Sequence, residues 1–507
     1  MRRRLVTRGS FYERLADHGD ELFGDGEFAH LYSERMGRPS IPPSVMIRAL
    51  LCATHDRTSD AETSRRSRVD ADWKAAMGVD DDFEGIAART FSLMRARMIA
   101  ADADNALFEA TLAKAAAAGV FKGPLRSIID SSPVNGAGAV QSSYELIRGF
   151  LGQVARAAAG ILSGPTKAAV APLVAGKAAI DWQDPAARKA HLGVLVAAGR
   201  VVLAEVAGSA DPAVAEAAGL LAQVIDQDVE EDDDGNPQIR QGVARDRVVS
   251  HSDPEMRHGR KSVSRRFDGY KMDVVADEAS ELVLGVEVRA ANAGDGDGAA
   301  PLLAHICDTL AGLASQVEMG PVLADMAYSD GDVRVAVEEL GMDLVAKVPP
   351  VSNGGRFPKT DFYIDADRGE VTCPAGEVST DAHPTVDHKG RPAWLFAFGA
   401  ESCASCPLRP ECTTAAAGRT VMVGVHEARM ADARAAQLDP TIIAILRLRA
   451  KVERKIDHLQ DLGMRKARWR GRRKTKLQAL LAATVANFKR LAVLGAFDTA
   501  PQLAAAA

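Results

Sequence analysis

No stretch of this 507-residue chain approaches the roughly 20 consecutive apolar residues that a membrane-crossing helix needs. The N-terminal MRRRLVTRGSFYERL has basic residues but no apolar segment behind them, so a secretory signal is not expected. The cytoplasm is the expected compartment. Cysteine is scarce, with six in all. Cys52 and Cys307 stand alone in apolar helical patterns and read as small buried hydrophobes. Cys373, Cys403, Cys406 and Cys412 cluster, and in a reducing compartment a cluster points to metal before disulfide. A disordered composition is also missing, because 47% hydrophobic and 26% charged residues are the values of an ordinary globular protein. The length suggests roughly two to four domains.

A net charge of −6 argues against a nucleic-acid partner until its distribution is followed. From Arg447 to Arg490 there are fifteen Lys and Arg against three acids, Glu453, Asp457 and Asp461, which leaves +12. Asp226 to Asp234 carries seven acids in nine residues. The average therefore conceals a basic C-terminal region and an acidic linker.

Up to about residue 120 the pattern is helical. SIPPSVMIRALLCATH places prolines at a helix start, and SDAETSRRS opens on a Ser cap with Glu62 near it. RSIIDSSPV, from Arg126, is strand-like. Gly- and Ala-rich helices follow to about 225 and read as an insertion closed by the acidic linker. YKMDVVADEASELVLGVEVRA reads as a hairpin. An amphipathic helix, the strand PVLADMAYSDG, a helix and the strand DLVAKVPP come next. After the Cys-containing section, TIIAILRLRAKVERKIDHLQDLG reads as one long helix. Without the two insertions this is a mixed sheet with helices on its faces.

Two strands of that sheet run into an acid, IID130 and LAD325, and Asp130 is expected where its strand stops, with Pro133 ending the ladder. Two adjacent carboxylates repel unless a cation neutralises them, and Mg2+ or Mn2+ prefers oxygen ligands. Glu453, on the late helix, is the best third carboxylate; Arg449 and Asp457 share its face. Three carboxylates can hold the two ions that clamp attacking and leaving oxygens in phosphoryl transfer. Taken singly, each acid is equally a cap or a solvated salt-bridge residue.

With these residues in hand, the chain resembles the DDE transposases of bacterial insertion sequences. The resemblance rests on YSERMGRPSIPPSVMIRALL with SDAE, IIDSSPVNGAG, DPEMRHGRKSVSRRFDGYK and LADMAYSDG. CPAG with CASCPLRPEC, then RAKVER with RKARWRGRRK, extend it towards the C-terminus. It implies an α/β fold: an RNase H-like mixed sheet flanked by helices, with an all-α N-terminal domain, a helical insertion and a Cys-rich insertion. The corresponding boundaries are 1–120 for a DNA-binding or dimerising helical domain and 121–142, 243–350 and 440–495 for the catalytic core. The helical insertion with its acidic linker is 143–242, and the Cys-rich insertion is 351–439. It also implies that Asp130, Asp325 and Glu453 are the catalytic, metal-binding triad, holding two Mg2+ or Mn2+ ions, with Arg449 as basic partner. The partners implied are transposon terminal inverted repeats and target DNA, a homodimer in the active complex, and the bacterial nucleoid as setting. Leu446 and Gln460 depart from a broader signature that has Tyr and a basic residue there, so no DNA contact is carried over to them. Lys466, Arg468 or Arg470 are the candidates to replace it.

Cys373, Cys403, Cys406 and Cys412 form a candidate structural Zn2+ site that would hold a turn-rich segment with little core of its own. His383, His388 or His426 are alternative ligands, an iron–sulfur cluster is less favoured, and unmetallated thiols are the plain alternative. RKARWRGRRKTK offers Arg465, Lys466, Arg468, Arg470, Arg472, Arg473 and Lys474 as phosphate contacts. Within it Trp469 is either a base-stacking residue or an anchor to the core. Arg257, Lys261 and Lys271 are further candidate DNA contacts or, equally, structural ion pairs. The expected activity is metal-dependent phosphodiester cleavage at transposon ends and strand transfer. The alternatives are an RNase H-like nuclease without transposition and a catalytically inactive DNA-binding descendant.

Overall fold

The computed structural model describes residues 6–32, 40–262, 264–313 and 317–498. Parts of two expectations, the basic N-terminal residues 1–5 and the stretch 33–39 of the helical-domain motif, lie outside them. The N-terminal region is helical, with helices at Phe11–Leu22, Pro43–His55, Asp60–Val69, Ala71–Met77, Ala88–Ala100 and Ala103–Ala117. Their starts follow from sequence: Ser10, Ser59 and Asp70 each accept a backbone N–H from the first turn, and Pro43 opens its helix.

Six strands form the central sheet, five of which make its main body. β1 (Leu125–Asn135) is flanked by β2 (Arg266–Asp277) antiparallel and by β4 (Met319–Ala324) parallel. β3 (Val283–Ala290) pairs antiparallel with β2, and β5 (Leu344–Ala346) parallel with β4. The order is β3-β2-β1-β4-β5, three antiparallel strands followed by two parallel ones, which is the RNase H-like arrangement. A short strand, Arg257–Arg260, pairs with the start of β2. Helix α1 (Ala299–Leu313) lies over one face, where Leu302 and Ile306 stand against Gly285. Helix α2 (Gly331–Glu338) links β4 to β5, and α3 (Ala450–Leu459) lies over the face that carries Asp130. Helix α4 (Arg472–Val493) covers the outer edge of β3. There the Asn487 amide accepts from Val283 N–H at 2.8 Å and donates to Val283 C=O at 2.8 Å, as a further strand would.

Four local expectations change. β1 does not stop at Asp130: it pairs with β2 through Asn135, while its parallel ladder to β4 reaches only Ile128. Between Ile128 and Asn135, which bridges Lys466, β1 is an edge on the β4 side, which is where a proline is tolerated and where a crevice opens. The expected single long helix is two, Pro440–Arg447 and α3, because i→i+3 bonds tighten the chain at Leu448 and Arg449. The acidic linker is partly structured: Val229–Glu231 pairs with Pro237–Ile239, and Lys189 and Arg200 pair with Asp232 and Glu231. The Cys-rich segment has a core of its own, built from Phe362, Val371, Phe396, Phe398, Val421 and Val423. Between β1 and β2, helices Ser143–Ala157, Gly164–Val174, Pro185–Val206 and Pro212–Asp228 enclose a separate apolar core.

Candidate active site

Asp130 lies on β1 two residues past the last parallel pairing with β4, and Asp325 follows the last residue of β4. The Asp325 carboxylate accepts Ala327 N–H at 2.9 Å, so its own turn fixes it. Glu453 reaches the site from α3 and is the open member, its side chain 59% exposed against 16% for Asp130. Arg449 joins the two, with Nη1 3.0 Å from Asp130 Oδ2 and Nη2 3.4 Å from Glu453 Oε1. This pairing explains the tightened turn between the late helices, which brings Arg449 over the strand.

Burial pushes the Asp130 carboxyl up to about 6, and the negative charges of Asp325 and Glu453 push the same way. Ser131 N–H, donating at 2.7 Å, and the Arg449 guanidinium pull it back. The three acids thus share one electrostatic neighbourhood, although they lie about two and three hundred residues apart in sequence. Among the described residues no three His, Cys, Asp or Glu side chains stand close enough to hold a metal ion as they are. The donor set nevertheless suits a hard divalent cation, being all carboxylate, and the Arg449 guanidinium supplies the positive charge between Asp130 and Glu453.

Behind Asp130 the sequence singles out Lys271 but not Asp295, Asp273, Arg289 or Tyr328. Ser131 donates to Asp295 at 2.8 Å, and Lys271 Nζ pairs with Asp295 at 2.7 Å. Asp273 pairs with Arg289. Tyr328 is buried, its hydroxyl has no hydrogen-bond partner among the described residues, and burial with Asp273, Asp130, Asp295 and Asp325 nearby pushes its phenol up. Only its place in MAYSDG, directly after LAD325, could have flagged it. Gln460, two turns after Glu453, donates to Ser132 at 2.9 Å and so ties α3 to β1 beside Asp130.

The candidate DNA contacts divide. Lys271 is buried and also donates to Ala293 C=O at 2.6 Å, and Arg257 pairs with Asp246 at 2.7 Å, so both are occupied by structural partners. Arg468 donates to Thr58 C=O, Arg473 pairs with Asp102 and Asp104, and Arg472 lies 3.8 Å from Glu255. Arg465 is 3.5 Å from Asp461. Lys261, Lys466, Arg470 and Lys474 are exposed and make no ion pair among the described residues. Trp469 sits between guanidiniums, with Arg95 4.4 Å and Arg468 5.1 Å from its ring centroid, which is the contact set of an anchor. Asp253 accepts Gly471 N–H at 3.1 Å and Glu255 accepts Arg472 N–H at 2.8 Å, neutralising the positive start of α4.

The four clustered cysteines line one cavity of about 250 Å³. Burial and the nearness of Cys403, Cys373 and Cys406 push the Cys412 thiol up, while Arg419 pulls it down. His426 is turned away, to Asp332 at 2.7 Å, and His383 lies 3.2 Å from Asp381.

Two family models match the chain. A transposase DDE domain matches residues 372–492, and a transposase domain (DUF772) matches residues 1–97. The two matches support a DDE transposase of insertion-sequence type. Transposases act on DNA, and the DDE transposase family generally uses divalent metal ions. The DDE match covers Arg449, Glu453, the four cysteines and the basic segment, whereas Asp130 and Asp325 lie outside both matches. No curated protein matches the transposase. No helix among its described residues is long and apolar enough to cross a membrane.

Proposed function

We propose that this transposase cleaves the phosphodiester at transposon ends and joins the freed 3′-hydroxyl to target DNA, with Asp130, Asp325 and Glu453 as the catalytic carboxylates. The observation that carries the reading is the convergence on Asp130: Asp325 and Glu453 raise its pKa together, and Arg449 bridges it to Glu453. The three carboxylates would hold two Mg2+ or Mn2+ ions, whose charge would stabilise the attacking and leaving oxygens of an in-line displacement. The chain's own part is placement. Asp325 is held by its turn, and Asp130 is held by Ser131 N–H on a strand buried at Ile128 and Ile129. Glu453, on an exposed helical face, is free to swing, and Arg449 must release both acids when stronger cations arrive.

The exposed cations Lys466, Arg470 and Lys474 contact DNA phosphates in this reading, joined by Lys261 and by Arg465, whose single partner is distant. The helical region 1–120 serves DNA binding or dimerisation, since two ends must be brought together by at least two copies. Cys373, Cys403, Cys406 and Cys412 hold one structural zinc, a reading supported by their shared cavity and by their effect on Cys412. Incubation with Mn2+ and a labelled duplex carrying the transposon end tests the activity. The expected product is a nick at the end; indiscriminate cutting, or binding without cutting, would contradict it.

A further inference from the structure

At the far side of β2 lies a cavity of about 420 Å³ lined by Arg245, Arg247, Arg257, His258, Arg260 and Arg266. Its cations are not equivalent. Arg247 is held by Asp228 at 2.7 Å and Arg257 by Asp246 at 2.7 Å. Arg247 Nη1 lies 3.3 Å from His258 Nε2; a guanidinium only donates, so that nitrogen accepts, and the other faces Asp268. Arg245, Arg260 and Arg266 are exposed and have no ion pair among the described residues.

Arg260 and Arg266 are moreover directly opposite each other in the antiparallel register. Like charges at such a pair destabilise it. Lys261 and Arg265 add two more positive charges in the adjoining turn. The acid that lines the cavity, Asp268, is taken by His258, so opposed arginines with no ion pair among the described residues are arranged for an anion from outside.

The placement says which anion. The short strand joins β2 at Gly269, whose partner on the other side is Asn135 of β1. Asn135 in turn bridges the basic segment, accepting Ala467 N–H at 2.7 Å and donating to Arg465 C=O at 3.1 Å. The cavity, the end of β1 and the Arg465–Lys466 pair are therefore contiguous. Asn292, on the cavity wall, donates to Arg245 C=O at 3.0 Å, and the same loop carries Asp295, which holds Ser131 beside Asp130. Asp130 is paired with Val274, and eight residues of β2 run from there to Arg266, about 27 Å at ~3.4 Å per residue, or about eight base steps of duplex.

We propose that Arg245, Arg260 and Arg266 form a phosphate-binding site for the DNA backbone about eight base steps from the phosphodiester at Asp130. The proposal rests on the DNA-cleaving reading above but does not need catalysis to be tested. Binding of a random-sequence duplex is measured over a salt series without divalent metal. Combining Arg245→Gln, Arg260→Gln and Arg266→Gln is expected to flatten the slope of log K against log salt by up to about 2.7, at ~0.9 per phosphate contact. Arg257→Gln, whose charge is already used by Asp246, is expected to leave the slope unchanged. Arg260→Gln alone relieves the opposed pair, so it is expected to raise the melting temperature without DNA while flattening the slope by about 0.9. A wild-type slope in the triple variant, or in Arg260→Gln should the triple variant not fold, overturns the proposal. A wild-type protein that binds no duplex would instead overturn the DNA-cleaving reading itself.

Discussion

Asp130 shows how one residue can be readable as a candidate and unreadable as a position. The run Ser127, Ile128, Ile129 marks a buried strand, and the acid after it is conspicuous. Its strand nevertheless continues, because β2 pairs with β1 through Asn135 and only the β4 ladder ends early. Which neighbour stops first is a property of partners about 150 to 200 residues away, and no local pattern records it. The same partners set the acid's chemistry. An ordinary Asp ionises near 3.8, and in the fold this one is pushed up to about 6, so the ionised form costs stability once the pH passes through that window. The cost is absent below about pH 4 and complete above about pH 6. Asp130→Asn should therefore stabilise the metal-free protein at pH 8, by on the order of 1–3 kcal/mol, and lose that advantage near pH 4. Denaturant unfolding in chelator at the two values checks this. A variant no more stable than wild type at pH 8 contradicts it.

At the scale of elements, caps and periodicities were legible. Ser59 caps its helix as SDAE suggests, and the hairpin around DEAS forms β2 and β3. The late helix was legible in composition but not in its break, since the tightened turn at Leu448 and Arg449 serves the contact with Asp130. The basic segment misled in the opposite direction. Its charges read as phosphate contacts, yet Arg468 and Arg473 are spent on tying it to the N-terminal helices through Thr58, Asp102 and Asp104. The Cys-containing segment has its own apolar core, with Cys373, Cys403 and Cys412 packed against it, so zinc would stabilise a fold that already exists. One zinc per chain is expected in metal analysis of the purified protein. Its removal should loosen 357–424 while the sheet around β1 keeps its hydrogen-exchange protection. Protein purified without zinc and equally protected there would contradict the assignment.

The whole molecule is held together by α4. Leu477, Leu481, Val485 and Phe488 belong to the core of the N-terminal helices, while Ala479, Leu480 and Ala483 belong to the core of the sheet. Asn487 also donates to Thr111 at 3.1 Å, so one side chain joins three elements. The two regions expected to bind and to cut DNA therefore share a single helix, an arrangement no stretch of sequence announces. The central claim concerns the assembled molecule too, because its three carboxylates come from three separate parts of the chain. The most direct test is cleavage of the labelled transposon-end duplex by Asp130→Asn, Asp325→Asn and Glu453→Gln, each compared with wild type for DNA binding in the same buffer. The account predicts that every one of the three loses cleavage, by a factor of about a thousand or more, while duplex binding persists. Wild-type cleavage in any one of them would remove that residue from the site.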